Sequence, residues 1–405
     1  MKHRIVVLGA GYAGAVAAGR LARRLHTDGT EITVVDARPH FVERVRLHQL
    51  AAGQELARRS FTDIFSGTGV QLRQARITTV DADRRTVALV DDQGSGEIAY
   101  DTLVYALGSG SAGQDVPGVT EHAFDVAVEG SALRLRARLS ELTAGGTVLV
   151  VGGGLTGLEA ATEIAESRPD LDVALADRAG LGHWLSAKAQ RHLRAVLDRL
   201  GVTVHEHADI ARVDADGAVT ADRGSIPARV VVWAAGFAAH PIARATTLTV
   251  AENGQIVVDA TMRSVSHPDV YAVGDAAIAA GPGAGPLRMS CASGVPMAWQ
   301  AAAAIAARLT GRRVPRIPIR YFNQCISLGR HDGIIQFVTA DDRATASLVK
   351  GKLAARYKEL VCRGAAWGVA HPTLMLPTRR RHVTVNGPQT PAAQPWTPAA
   401  HPQHR

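Results

Sequence analysis

Two stretches of the chain repeat one order of residue types: an apolar run rich in Val and Ile, a glycine-rich turn, and a helix of small residues. The first reads Ile5-Val6-Val7-Leu8-Gly9-Ala10-Gly11-Tyr12-Ala13-Gly14, continues as a helix to about Leu25 and resumes as a strand from Glu31 to Asp36. The second reads Thr147-Val148-Leu149-Val150-Val151-Gly152-Gly153-Gly154-Leu155-Thr156-Gly157, then a helix to about Ser167 and a strand from Leu171 to Asp177. Each spells a strand-helix-strand unit with its glycines at the first turn.

Between the copies, residues 70–105 alternate like short antiparallel strands with a turn at Asp91-Asp92-Gln93-Gly94. Gly113 to Gly118 has the turn chemistry of a crossing between domains. Two further strands, Arg229 to Ala234 and Val270 to Val273, each end at glycine. Gly281 to Gly285 reads as a loop, Pro296 to Leu309 as an alanine-rich helix, and residues 315–370 as further strands and one helix. Beyond Gly387 the Pro/Ala/Gln/His composition has no hydrophobic period and predicts a disordered tail.

A chain of 405 residues exceeds one core and suits two or three domains. The glycines that break the first apolar stretch argue against a signal peptide, and no apolar run reaches the roughly 18 residues of a membrane span, so a cytosolic location is expected. Cys291, Cys325 and Cys362 form no close pair, which speaks against a disulfide framework or a zinc site. The net charge of +8 is uneven: residues 311–405 hold 15 Lys/Arg against 4 Asp/Glu. That excess suits anionic lipid, an acidic partner or a solvated basic tail, and these readings stay open. Nucleic acid is not expected, since no aromatic platform or recognisable module accompanies the charge.

In a Gly-x-Gly-x-x-Gly turn the first glycine permits the bend, the second lets a pyrophosphate approach the backbone, and the third lets helix pack on strand. The amides and dipole of the helix N-terminus then face the phosphates. A lone match is weak, but here both copies follow a strand, open a helix and lead to an acidic residue. Asp36 and Asp177 are each placed to accept hydrogen bonds from an adenosine ribose. An acidic residue at 177 repels a 2′-phosphate and favours NADH over NADPH, while the neighbouring Arg178 works the other way.

The order of these pieces resembles the flavoproteins with two dinucleotide-binding domains, and within them the type II NADH dehydrogenase (NADH:quinone oxidoreductase) branch, from about residue 3 to 340. The first fingerprint, the Tyr105-Ala106-Leu107-Gly108-Ser109 strand, the Trp233-Ala234-Ala235-Gly236 segment and Pro268-Asp269-Val270-Tyr271-Ala272-Val273-Gly274-Asp275 each match a motif of that family. The resemblance implies an α/β fold with two Rossmann-type units of three-layer ββα form and a smaller C-terminal α+β region. It places an FAD domain at residues 1–115 and 240–312, an NAD(H) domain at 116–239, a C-terminal domain at 313–386 and a tail at 387–405. It implies FAD contacts at Gly9, Gly11, Tyr12, Ala13, Gly14, Asp36, Ala37, Arg38, Ile77, Ala106, Gly108, Gly274, Asp275, Met297 and Ala298. NADH contacts are implied at Gly152, Gly154, Leu155, Thr156, Gly157, Asp177, Ala235 and Gly236.

Glu159 occupies the place of a family glutamate facing nicotinamide and flavin; a first-turn carboxylate complementing the helix dipole is the alternative. Gln300 matches the first glutamine of the family's quinone-site helix, and Ala304 stands where the second belongs, so that pattern is half kept. Glu159 and Gln300 are thus the candidate catalytic residues, and no metal ligand is expected. The Pro39 to Gly53 segment lacks the cysteines that disulfide reductases and thiol-dependent oxidases carry there. Membrane-docking helices are not apparent after Leu360, where Pro372, Pro377 and Pro388 interrupt the helical period, and Thr378 to His382 reads as a solvated charge run. Cys291, close before the Pro296 helix, is expected to be a packing thiol rather than a redox one.

The implied reaction passes hydride from NADH to FAD, with the cofactor supplying the chemistry and the protein the orientation. Electrons then go to a small-molecule acceptor, a quinone or quinone-like aromatic. The alternatives are a soluble tailoring or ferredoxin-type reductase, or an NADH-sensing flavoprotein similar to apoptosis-inducing factor. A homodimer and a peripheral place at the inner face of a membrane, reached through the basic C-terminal region, are compatible with all three.

Overall fold

The computed structural model describes residues 1–113, 115–283, 285–316, 318–373 and 379–384. The expected tail beyond Gly387 lies outside them, as do Pro377, Thr378 and Pro388.

The first sheet has five parallel strands in the order Val270–Ala272, Thr102–Tyr105, His3–Leu8, Thr30–Asp36, Val70–Gln74. Helix α1 (Tyr12–Arg24) crosses between His3–Leu8 and Thr30–Asp36, while α2 (Leu47–Ala51) and α3 (Phe61–Phe65) follow. Ile5, Val6, Val7 and Leu8 are all at most 1% exposed. At roughly 1.5–3 kcal/mol for each fully buried aliphatic side chain, such runs decide the placement of a strand over any local propensity.

The second sheet repeats the plan with Ala123–Phe124, Val230–Trp233, Thr147–Val151, Asp172–Asp177 and Thr203–Glu206, again all parallel. It carries α4 (Val119–His122), α5 (Glu129–Ser140), α6 (Leu155–Ser167) and α7 (Ala187–Arg199). Ser186 caps α7 by accepting the Ala189 N–H at 3.4 Å. The units are joined by an antiparallel pair, Ser109–Ser111 against Phe237–Ala239. These strands leave the carboxyl ends of Thr102–Tyr105 and Val230–Trp233, so the carboxyl edges of the two sheets meet there.

The 70–105 stretch departs from its reading in part. Only Arg76–Asp81, Thr86–Asp91 and Gly94–Ala99 form the antiparallel meander, with Asp91 paired to Gly94 across the expected turn. Val70–Gln74 and Thr102–Tyr105 belong to the parallel sheet; all four residues of the latter are buried, as a central strand requires.

Helix α8 spans Cys291–Leu309, five residues longer at its start than the sequence suggested. Pro296 lies inside it rather than opening it, and the small residues Ala292, Ser293 and Gly294 build the turn before the proline. Further alanines, Ala301 to Ala304, let α8 lie close on α1, and the Arg20 guanidinium sits 4.6 Å over the Trp299 ring.

The C-terminal part is an antiparallel sheet of Asn323–Ser327, Gly333–Val338 and Ala344–Lys350, followed by α9 (Lys352–Ala370). The 315–370 stretch thus holds strands and one helix as expected; that helix runs past Leu360 and stops just before Pro372, the residue that ends it. Pro372 then packs against Gly19 of α1, where only a glycine leaves room. Arg381 pairs with Leu25 at the end of that helix, so the run containing it is docked in part and not simply solvated.

Candidate dinucleotide and acceptor site

The two glycine turns are superimposable in their logic. Gly9 and Gly152 have φ of +88° and +116°, and a side chain on either would run into the backbone of Ala106 or of Ala234 and Ala235. The Ala-x-Gly segments thus lie directly over the first glycine of each turn. A Cβ on Gly14 or Gly157 would collide with the carbonyl of Gly9 or Gly152, which fixes the approach of helix to strand. Gly11 and Gly154 differ: both have negative φ, and a Cβ on either would meet nothing within 4 Å. No protein contact explains a glycine at these two positions, whereas a diphosphate lying against the backbone does.

Gly11 and Gly154 are also the N-caps of α1 and α6, and neither offers a capping side chain. The first-turn amides of Tyr12, Ala13 and Gly14, and of Leu155, Thr156 and Gly157, are therefore the donors a phosphate would take up. At the far edge of the first turn Asp36, 8% exposed, accepts the Ala10 N–H at 2.8 Å and the Arg38 N–H at 3.0 Å. Asp177, 9% exposed, accepts the Ala179 N–H at 3.3 Å with Gly153 packed on its carboxylate. Ala37 and Arg38 are exposed just beyond Asp36, and Ile77 is half-buried on the neighbouring meander. These residues fit two dinucleotides.

Sequence reasoning missed two parts of this surface. Glu206 stands beside Asp177 in the adjacent strand, bound to Arg194 at 2.8 Å and to the Leu181 N–H at 2.7 Å. Arg44, Ser109 and Asp275 converge from three segments. The Arg44 guanidinium donates to the Ser109 carbonyl at 2.6 Å and to its hydroxyl at 2.9 Å, and that hydroxyl donates to Asp275 at 2.7 Å. Gly274 has φ +70° and lies against Ala13 and Gly294, bringing the late motif to the start of both α1 and α8. Gly108 and Gly236, with φ of +72° and +92°, flank the paired crossing strands.

Because α8 begins at Cys291, Met297 and Ala298 fall inside the helix and are 1% and 0% exposed. Their N–H groups serve the helix itself, and so do those of Ser293 and Gly294, which donate to the Ser290 carbonyl at 3.1 and 2.8 Å. Gln300 is 1% exposed and donates to the Pro315 carbonyl at 2.9 Å, tying the helix to the segment that follows it. That bond gives Gln300 a positioning task between α8 and the segment after it. Cys291 is half-buried, and burial pushes its thiol up, away from thiolate chemistry.

Glu159 is neither an exposed first-turn charge nor unpartnered. It is 6% exposed, ion-paired to Lys358 of α9 at 2.9 Å, and accepts the Ser327 N–H at 3.0 Å. Burial alone would raise its carboxyl, but Lys358 holds it below the usual range. Burial likewise works against the Lys358 charge, and Glu159 more than offsets it. His48 of α2, wholly buried nearby, is depressed to about 4 and is therefore neutral at pH 7.

Lys358 of this pair lines a cavity of about 340 Å³, together with Gln49, Ser327, Arg330, Glu359 and Cys362 among others. Glu359 would be raised by burial, but Arg46, Arg363 and Arg330 bring it to about 2. Two buried polar atoms of its lining lack a partner among the described residues, Gln49 Oε1 and Ser327 Oγ, as do His48 Nε2 and Glu163 Oε2 elsewhere on α2 and α6. Orphaned groups of this kind are costly and mark a place shaped for a ligand or water. Glu163, one turn along α6 from Glu159, bonds to Gln54 through its other oxygen, and burial pushes its carboxyl up to about 7.

Comparison with known proteins gives the same picture. Residues 3–306 match the pyridine nucleotide-disulphide oxidoreductase family. An NADH dehydrogenase-like protein of Mycobacterium tuberculosis is 31% identical over 349 residues, 80% of this chain and 86% of that one. The demethylphylloquinone reductase NdbB of Synechocystis is 27% identical over 381 residues, covering 88% and 92%. The structure of NDH2 from Plasmodium falciparum in complex with NADH superposes with a TM-score of 0.76 over 94% of this chain and 99% of the other, at 14% identity.

Proposed function

Because this chain belongs to the pyridine nucleotide-disulphide oxidoreductase family, on its NADH dehydrogenase-like branch, and is an FAD- and NAD(P)H-dependent oxidoreductase, we propose that it oxidises NADH and reduces a quinone-like acceptor in the cavity beside Glu159 and Lys358. In this reading residues 1–115 and 240–312 hold FAD and 116–239 hold NADH. The acidic Asp177 and Glu206, on neighbouring strand ends, disfavour a 2′-phosphate and so NADPH. Bound FAD supplies the acceptor for the nicotinamide hydride and the donor to the second substrate.

The chain's own residues do the rest. The first-turn amides of α1 and α6 hold phosphates, Asp36 and Asp177 orient the riboses, and Arg44 with Ser109 holds Asp275 in place. Reducing a quinone puts negative charge on its oxygens, and Lys358 Nζ, kept protonated by the Glu159 carboxylate, offers a charged hydrogen-bond donor for it at the cavity wall. The observation that carries this reading is the buried Glu159–Lys358 pair, whose lysine lines a cavity between Gln49 of α2 and the C-terminal sheet and helix.

α9 also supports peripheral membrane contact. Leu353, Tyr357, Leu360, Val361 and Trp367 are exposed on it at successive spacings of 4, 3, 1 and 6 residues, beside Lys352, Arg356 and Arg363. An apolar stripe flanked by cations suits an anionic lipid surface. No described helix is long and apolar enough to cross a membrane, so the contact would lie in the interface.

Stopped-flow reduction by NADH and by NADPH, followed by mixing with menadione, ubiquinone analogues, ferricyanide and oxygen, tests the reaction. Glu159→Gln should leave reduction by NADH within about twofold and slow reoxidation by quinone at least tenfold, loss of a whole charge-stabilising donor being worth about a hundredfold. Equal slowing of both half-reactions would remove Glu159 from the acceptor side.

A further inference from the structure

The chain past α9 does more than end. After Pro372 docks on Gly19, it reappears at the C-terminal end of α1, where the Arg381 N–H donates to the Arg24 carbonyl at 2.9 Å and the His26 N–H to the Arg381 carbonyl at 2.8 Å. These backbone bonds set His382 beside the loop that joins α1 to the strand Thr30–Asp36. The rings of His26 and His382 lie 4.2 Å apart at 28°, and His26 Nδ1 is 3.1 Å from Asp28 Oδ2.

We propose that His26, Asp28 and His382 form a binding site for a borderline divalent metal ion, with Zn²⁺ the natural occupant, that clips the C-terminal segment to the first dinucleotide unit. One ligand atom from each residue lies within 4.8 Å of the other two. Tetrahedral zinc with bonds of about 2.0–2.1 Å needs its ligand atoms roughly 3.3 Å apart, so small side-chain rotations close the set. Two imidazoles and a carboxylate suit Zn²⁺, Co²⁺, Ni²⁺ or Cu²⁺ and not Mg²⁺ or Ca²⁺, which prefer all-oxygen shells. Asp28 and His382 are exposed, which leaves room for water as a fourth ligand. The site stands at the opposite end of α1 from the glycine turn, so the ion would act on the tether and not in the redox chemistry.

The segment it holds continues back through Pro372 to α9, the helix that supplies Lys358 and one wall of the cavity. A clip at residue 382 therefore bears on how firmly that wall is held. The assignment does not depend on which acceptor the cavity takes.

The test uses the full-length holoenzyme after chelation and dialysis. Zinc or cobalt titration, read by isothermal calorimetry and by the cobalt d–d bands beyond the flavin absorption, should show one equivalent bound by the native chain. His382→Gln and Asp28→Asn should lose that equivalent or bind it at least tenfold more weakly. Sixteen histidines are present, so the difference between native and variant is the readout rather than total uptake. As an independent measure, zinc should slow tryptic cleavage at Arg379, Arg380 and Arg381 in the native chain and leave the rate unchanged in His382→Gln. Equal zinc uptake and equal cleavage in native and His382→Gln chains, both with flavin retained, would overturn the assignment.

Discussion

Gly11 and Gly14 sit three residues apart in one turn, yet their replacement by alanine should fail in different ways. A methyl group at 14 strikes the Gly9 carbonyl and must push α1 off its strand. One at 11 meets only open space, so Gly11→Ala should melt within a few degrees of the native protein while retaining little FAD; measured flavin content against melting temperature separates the two. If Gly11→Ala keeps its flavin, the diphosphate does not lie where the turn suggests. Glu163 gives a second expectation at this scale. Its ordinary value of 4.5 is raised to about 7 by burial, so folding favours the neutral form. That stabilisation is complete below pH 4.5, is lost as pH climbs through 7, and leaves a buried charge above it. Glu163→Gln should melt near the native temperature at pH 5 and be more stable at pH 8 by about 1–3 kcal/mol. A pH-independent difference between the two proteins would contradict this.

At the scale of elements, α9 matters most because it reaches the first core with Ala366 and Val369 and the Glu159 site with Lys358. Lys358→Met strands Glu159 as an uncompensated buried charge, and breaking a buried pair from one side costs about 3–5 kcal/mol. Adding Glu159→Gln should recover much of that loss in chemical denaturation, and a double variant no more stable than the single would show that the pair is not the cause. The parallel strands and glycine turns were legible in the sequence because each is written in some thirty consecutive residues. The ion pair was not, since Glu159 and Lys358 are joined only through the packing of α6 on the C-terminal sheet. Arg44, Ser109 and Asp275 were hidden for the same reason. The start of α8 was misread because a proline usually opens a helix, and here Ser290 to Val295 precede it without any strong cap. The end of α9 was legible, because Pro372 stops the helix just after residue 370.

For the whole molecule, the apolar stripe of α9 and the neighbouring Phe322, 72% exposed, face outward on the same C-terminal part that carries the basic excess. Co-sedimentation with vesicles rich in anionic phospholipid should capture the protein, and purely zwitterionic vesicles or salt near 0.5 M should release most of it, since screening shortens the electrostatic reach to a few ångströms. Leu360→Glu with Trp367→Glu should weaken capture at least tenfold without altering reduction of a water-soluble acceptor. Binding that ignores both lipid charge and these substitutions would rule out α9 as the contact.

The antiparallel pairing of Ser111 with Phe237 has a consequence for synthesis on the ribosome. Everything the second sheet needs lies between residues 123 and 233, whereas the first sheet waits for the strand at 270–272 and the helix at 291–309. The later half of the gene product must therefore emerge before the earlier half can close, and the inserted sheet has all its strands while its host is still an open sheet. Flavin capture would then be among the last events of maturation, and a nascent chain stalled just after residue 240 has cleared the ribosomal exit tunnel should already be able to hold NADH.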